Sequence, residues 1–205
     1  TITGLLCLLY FQTFQEIIFN EKTKPAPLVI NLPVNLRNIF DSKTMYNFFV
    51  SVTPTIDPRL GFFSETDIIN HVERYLSLEI DRRYVGKMIK RNIKIERSIA
   101  IRLIPLFLKE LLMPIVYRFW GERGYTSGIS NLGRIEFPDE IQDNIKSFNV
   151  IPPPSPGNII KMVGFSFKND FYITFGSLTD NKTVEKSFFR LLRRTGIPVK
   201  IKTIS

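Results

Sequence analysis

Apolar residues recur at helical spacing in some stretches of the chain and alternate with polar residues in others. Residues 2 to 19 form the first helical stretch, and its apolar positions occupy more than one face. A helix that is apolar on more than one side is usually buried on more than one side. The sequence therefore predicts an N-terminal helix inside the protein.

Shorter runs of alternating or β-branched character predict strands. They cover residues 28–37, 46–53, 125–132, 159–167, 171–176 and, at the end of the chain, 197–201. The runs 159–167 and 171–176 flank Lys168-Asn-Asp170, a turn sequence, so we expect them to form a hairpin.

Three further helices are predicted. A long one begins after Ser64, whose hydroxyl is suited to capping its first turn, and continues through Ile89. Another follows Pro105 and reaches Trp120, and the last begins at Asp180 or Thr183 and ends at Arg194. The element order predicts an α/β fold, a two-layer sandwich in which helices cover a mixed β-sheet.

The 205 residues, 44% of them hydrophobic, suffice for one domain or for one lobe of a two-lobed protein. One cysteine and one histidine leave no basis for a disulfide framework, a thiolate site or a histidine cluster, so no metal is expected. Cys7 is predicted to be a small buried apolar residue. The chain begins at Thr1 and is apolar and helical from Ile2, which indicates a fragment of a longer protein.

The charge of the chain favours an anionic partner. The sequence has 28 Lys and Arg against 19 Asp and Glu, a formal charge of +9. Nucleic acid, a membrane surface and a phosphate-bearing cofactor all fit this charge. The apolar run from Leu5 to Phe11 is too short to span a bilayer and no signal-peptide pattern precedes it, so we expect a cytoplasmic protein without a membrane span.

Five segments stand in a recognisable order. They are Pro33-Val-Asn-Leu-Arg37, Tyr46-Asn-Phe-Phe-Val-Ser-Val52, Ile56-Asp-Pro-Arg-Leu60 with its long following helix, Ser127-Gly-Ile-Ser-Asn-Leu-Gly133, and the 164–176 hairpin with Glu185-Lys-Ser-Phe-Phe-Arg-Leu-Leu192. Their order and spacing resemble the C-terminal lobe of the CoA-dependent acyltransferase superfamily, which includes condensation domains and chloramphenicol acetyltransferase. Within it, bacterial alcohol acetyltransferase-like proteins are the most similar.

The resemblance implies transfer of an acyl group, most simply acetyl, from acyl-CoA to an alcohol hydroxyl. In that family the general base is a histidine in an HHxxxD motif on the first lobe. The one histidine here, His71, has neither a histidine neighbour nor an aspartate at the right offset. Residues 1–205 are therefore expected to be a C-terminal lobe with no catalytic residue of its own, inactive without the missing N-terminal lobe.

The same resemblance makes Ser130 and Asn131 candidates for binding the pantetheine arm or the acyl oxygen of the CoA substrate. Alternatively, they satisfy backbone groups at a strand end. Asn35 and Arg37 are the next candidates, although Arg37 is better explained as holding the strand end by pairing with a carboxylate. Asn47 is the last, and it could instead anchor a turn.

Other interpretations remain. Basic residues crowd the stretch 82–97, where a solvated helix face is preferred over a CoA-phosphate site. The fold could serve as a noncatalytic protein-interaction domain, or as a basic nucleic-acid-binding module, although no nucleic-acid-binding motif is present. Because an isolated lobe exposes the face that meets its partner, a homo-oligomer is also expected.

Overall fold

The structure, a computed structural model, describes residues 1–21, 24–120 and 124–202. Its helices are α1 (Ile2–Asn20), α2 (Glu65–Glu79), α3 (Arg82–Glu96), α4 (Ile99–Leu103), α5 (Leu106–Trp120), α6 (Asp139–Gln142) and α7 (Thr183–Arg194). Its strands are β1 (Leu28–Asn35), β2 (Phe49–Val52), β3 (Thr55–Ile56), β4 (Ser127–Arg134), β5 (Ile160–Phe167) and β6 (Asp170–Ser177). Short 3₁₀ turns occupy Leu36–Asn38 and Pro58–Leu60.

The strands form one mixed sheet in the order β2-β1-β4-β5-β6, with β3 continuing the edge beside β1. Neighbours β1, β4 and β5 run parallel, while β2 and β3 are antiparallel to β1 and β6 is antiparallel to β5. The predicted hairpin is confirmed, with eight residue pairs from Ile160↔Ser177 to Phe167↔Asp170. Helices pack on this sheet, which confirms the predicted two-layer α/β fold.

Helix α1 lies at the centre of the helical layer. It packs on one face of the sheet, with α2 on one side and α7 on the other. Leu6, Tyr10 and Phe11 are buried on it together with the inward residues of β1, β4 and β5. The prediction that this helix is covered on more than one side is confirmed, as is the burial of Cys7.

A buried hydrogen-bond chain fixes α1 to the sheet. The Tyr10 hydroxyl lies 2.7 Å from Ser127 Oγ, and Ser127 donates to the carbonyl of Ile160. Burial raises the pKa of Tyr10 well above its usual range. These bonds join α1, β4 and β5 inside the core. A buried polar group without a hydrogen bond would destabilise the fold there.

The second face of the sheet is covered only in part. Over β5 and β6 the segment 135–159 supplies a separate cluster, in which Phe137 and Phe148 pack against Phe165 and Phe167. Over β1 and β4 the same face is open, and Pro33 and Leu132 are exposed there. These two exposed residues mark the part of the sheet face that no other described segment covers.

The single long helix predicted after Ser64 is in fact two. The predicted cap is confirmed, because Ser64 and Asp67 form a reciprocal capping box at the start of α2. The helix then ends at Glu79, and Asp81 begins α3 by accepting hydrogen bonds from the backbone N–H groups of Arg83 and Tyr84. The apolar period continues across the break, which is why the sequence pattern did not show it.

Other boundaries also differ from the prediction. No strand forms over 197–202, where Pro198 and the exposed backbone continue as coil, so the predicted final strand is wrong. Arg37 lies in a 3₁₀ turn beyond β1, and β2 begins only at Phe49. The apolar run at Leu5–Phe11 belongs to a 19-residue helix that is long and apolar enough to cross a bilayer by length and composition, although half of its most apolar window is buried.

Candidate functional site

The parallel strands β1 and β4 stay together for only a short distance. Their register pairs Ile30 with Ser127 and Asn31 with Gly128. Beyond these two pairs, β1 continues beside β2 and β4 continues beside β5, without further pairing between β1 and β4 within the described residues. The register pairing of these two parallel neighbours thus ends near their carboxyl ends, and open α/β sheets commonly bind ligands at the carboxyl ends of their strands.

Ser130 and Asn131 stand on β4 just past that point and have different surroundings. Ser130 is half-buried and alternates with the inward Ile129, so it belongs to the open face. Asn131 faces the helical layer, where its amide donates to Thr3 Oγ1 on α1 at 2.9 Å. Asn131 therefore has a hydrogen-bond partner within the fold, and Ser130 stays a candidate for ligand contact.

The residues that follow Asn131 form a bulge. The side-chain oxygen of Asn131 accepts from the backbone N–H of Gly133, whose φ of +72° lies in the left-handed region that favours glycine. The register with β5 shifts between Asn131 and Arg134. The Ser-Asn-x-Gly sequence thus places a β-bulge in β4 where it leaves β1.

The residues at the end of β1 mainly order the chain around them. Asn35 accepts from the backbone N–H of Arg37 and begins the 3₁₀ turn. Arg37 donates to the backbone carbonyls of Thr44 and Tyr46 at 2.9 and 2.6 Å. Its partners are therefore backbone carbonyls and not the predicted carboxylate. Asn47 is exposed before β2 and has no hydrogen-bond partner among the described residues.

Two other sequence features also have local explanations. In the Ile56–Leu60 segment, the Asp57 carboxylate accepts from the guanidinium of Arg59 at 2.6 Å, and this bond lowers the pKa of Asp57. His71 is exposed on α2, where its ring stacks beside Tyr75. Neither feature lies at the parting of β1 and β4.

The structure adds two asparagines that the sequence reasoning missed. Asn31 is the register partner of Gly128, and a Cβ built on Gly128 would lie 3.4 Å from the side-chain nitrogen of Asn158. Both asparagines therefore adjoin Gly128, and both side-chain oxygens are buried and have no hydrogen-bond partner within residues 1–21, 24–120 and 124–202. Buried oxygens of this kind accept a hydrogen bond from any water or ligand group that reaches them. One signal was present in the sequence, since Asn31 interrupts the apolar start of β1.

A shallow pocket lies elsewhere, between the end of α1 and the start of α7. Its volume is about 330 Å³, and Asn20, Lys186 and Arg190 are among its lining residues. Arg190 is paired there with Glu16 at 2.9 Å. None of the sequence-predicted site residues lines it. In the part of the chain that the structure describes, no three metal-binding side chains come together.

The fold and the site define a class of structure, a two-layer α/β sandwich whose parallel strands separate at a polar point. Comparison of the chain with protein-family models, with curated proteins and with solved structures finds no match in any of the three. The functional inference therefore depends on the residues and geometry described above.

Proposed function

We propose that residues 1–205 form the C-terminal lobe of a two-lobed CoA-dependent O-acyltransferase that transfers an acetyl group from acetyl-CoA to an alcohol. The observation that supports this function is the parting of β1 and β4 at Asn31 and Gly128. A thioester arm needs an elongated opening with a few polar groups along it. We assign this role to the place where the pairing of β1 with β4 ends, at Asn31 and Gly128, and call it the opening between β1 and β4.

The polar groups at the opening suit the pantetheine arm of CoA. This arm carries two amide N–H donors, and the unpaired oxygens of Asn31 and Asn158 are acceptors. Ser130, on the same face of the sheet, can both donate and accept. Satisfying buried oxygens that have no other partner favours binding, because their desolvation has already occurred in the free protein.

The proposed reaction requires a base from outside this chain. A base removes the proton of the acceptor alcohol, and the oxygen of that alcohol attacks the thioester carbonyl carbon. The carbon–sulfur bond then breaks, and CoA leaves as the thiol after taking up the proton. His71 is exposed on α2 and lies outside the opening. The base is therefore assigned to a histidine of the missing N-terminal lobe, and the chain is proposed to act in the cytoplasm.

A thiol-release assay tests whether this chain is inactive without the lobe that carries the catalytic histidine. The 205-residue chain, incubated with acetyl-CoA and simple alcohols, should release no CoA thiol above the rate without protein. Activity should appear only when a lobe carrying the histidine is supplied. Robust turnover by the chain alone would overturn the proposal.

Asn31 offers a sharper test, because replacing it should raise the stability of the protein and at the same time weaken CoA binding. Asn31→Val removes a buried oxygen without a partner from a strand, so the free energy of unfolding should rise by about 1 kcal/mol. The same change should weaken CoA binding measured by titration calorimetry. Thr174→Val, on β6 away from the opening, is the matched control and should leave CoA binding unchanged. Equal binding by both variants would contradict the assignment of Asn31.

A noncatalytic interaction domain is the second candidate, favoured by the open face over β1 and β4, where Pro33 and Leu132 are exposed. That face would meet the second lobe in the enzyme and a partner protein in the alternative. In the isolated chain it should drive the predicted homo-oligomer. Light scattering measures this directly, and a monomer at high concentration would count against it.

A further inference from the structure

The stretch from Asp81 to Trp120 differs from the rest of the chain in charge. It contains ten Lys or Arg and three Asp or Glu, and so carries +7 of the formal +9. Helix α3 holds most of these cations, and α5 follows it after the short helix α4. A basic helix is thus joined through a few residues to a strongly apolar one.

One side of α3 is packed, and five cations lie along the opposite side. Val85 is fully buried and, with the partly buried Met88 and Ile89, packs against Leu36, which follows β1, and Val50 of β2. The opposite side carries a stripe of exposed cations at helical spacing, formed by Arg83, Lys87, Lys90, Lys94 and Arg97. Among the described residues, none of these five forms an ion pair. The stripe therefore presents uncompensated positive charge to solvent.

Helix α5 leaves much of its apolar surface exposed to solvent. Nine apolar residues between Leu106 and Tyr117 are each more than a third exposed, including Phe107 at 72% and Leu111 at 67%. They are distributed around the whole helix, and within the described residues α5 lies along no other helix or strand. Burying one such side chain in an apolar medium is favourable by about 1.5–3 kcal/mol, so this exposure is a large unfavourable term for the free chain in water.

The length of α5 limits what it can do in a lipid. Its 15 residues extend about 22 Å. The hydrocarbon core of a bilayer is about 30 Å thick, so α5 is too short to span it upright. Lying in the interface needs no such length.

We propose that residues 81–120 form a peripheral binding element for the surface of an anionic phospholipid bilayer. The stripe on α3 pairs with the lipid headgroups, and α5 inserts its apolar side chains below them. Nucleic acid would satisfy the stripe but offers no hydrocarbon for α5. A second copy of this chain would bring two segments of charge +7 together, and their repulsion disfavours it.

Vesicle flotation with the 205-residue chain tests the proposal. The probes are vesicles of phosphatidylcholine alone and of phosphatidylcholine mixed with phosphatidylglycerol. The chain should float with the mixed vesicles and far less with the neutral ones. Binding should weaken between about 0.1 M and about 1 M salt, where the screening length falls from about 10 to about 3 Å.

Two sets of substitutions separate the contributions of charge and apolar surface. The triple variant Lys87→Gln, Lys90→Gln and Lys94→Gln should bind the anionic vesicles about a hundredfold more weakly, because each cation near an anionic leaflet contributes about fivefold. Its matched control removes three exposed lysines elsewhere, Lys43, Lys200 and Lys202, and should bind almost normally.

For α5, the double variant Phe107→Gln and Leu111→Gln should weaken binding by at least about tenfold. Its control, Met45→Gln with Leu60→Gln, changes two apolar residues that are even more exposed and should have no effect. An unchanged thermal unfolding midpoint shows that each variant folds. If the α5 double variant does not fold, the lysine variants of α3 and their control still test the proposal.

Several results would overturn the proposal. They are no flotation, equal flotation on both vesicle types, or the same loss in a control as in its test variant. Light scattering without lipid tests the alternative that a second copy of this chain, and not a bilayer, covers α5. If the chain is an oligomer that the α5 variant dissociates, and vesicle binding is absent, α5 is a contact between copies.

Discussion

Two helices of this protein are strongly apolar, and the structure treats them in opposite ways. Helix α1 lies between the sheet and two other helices, with Phe11 wholly buried. Helix α5 has similar composition but packs along no other described element, and Phe107 is 72% exposed. Hydropathy by itself would make α1 the better membrane helix. The comparison shows that an apolar helix is a core element only where sheet and helices are available to cover it.

The largest expected difference between the two helices is in stability. Phe11→Ala should lower the free energy of unfolding by about 3–5 kcal/mol, because it leaves a cavity in a packed core. Phe107→Ala should change it by about 0.5 kcal/mol or less, since the ring is already in solvent. Urea unfolding measures both. Similar losses for the two variants would mean that α5 is packed as firmly as α1.

Breaking the hydrogen bonds that join α1 to the sheet should lower the free energy of unfolding by less than the Phe11 substitution does. Ser127→Ala leaves the buried Tyr10 hydroxyl without its partner and removes the side-chain bond to the Ile160 carbonyl, so unfolding should become easier by about 2 kcal/mol. Tyr10→Phe removes one hydrogen bond and leaves Ser127 paired with Ile160, at a cost of about 1 kcal/mol. Urea unfolding that ranks the two variants in the reverse order would contradict this arrangement of donors and acceptors.

The burial of Cys7 on α1 predicts that the stability of the protein falls at alkaline pH. Burial raises the pKa of its thiol from 9.0 to about 12. Above pH 9 the unfolded chain therefore loses this proton while the native chain keeps it, and stability falls as pH rises. Between pH 9 and pH 10 the loss should be about 1 kcal/mol.

Cys7→Ala supplies the control for that titration. Its starting stability is lower, but its slope between the same two pH values should be shallower by the contribution of the thiol. The comparison is made from urea unfolding curves at each pH. Parallel slopes for the two proteins would show that Cys7 is accessible to solvent in the native state.

The sequence predicted the fold well where local pattern and burial agree. The α1 pattern, the Ser64 cap and the β5–β6 hairpin all appear as expected, because each depends on residues close together in the chain. It failed where an individual side chain decides. Asp81 divides one apolar period into two helices by capping α3, and no strand forms over 197–202, which lacks a partner strand.

The candidate site was predictable in location more than in detail. The end of β1 and the middle of β4 were named from the sequence, and both lie where the strands part. The roles were less visible, because Asn131 and Arg37 make backbone and helix contacts that depend on distant segments. Asn31 and Asn158 were missed since their proximity to Gly128 comes from strand pairing between remote parts of the chain.

The central claim is that the opening between β1 and β4 receives the thioester arm of CoA. Titration of the isotope-labelled 205-residue chain with acetyl-CoA, followed by amide NMR spectra, tests it most directly. We predict weak, saturable shifts concentrated at Asn31, Asn35, Ser130 and Asn158. Shifts confined to the basic stripe of α3, or no shifts at all, would contradict the account.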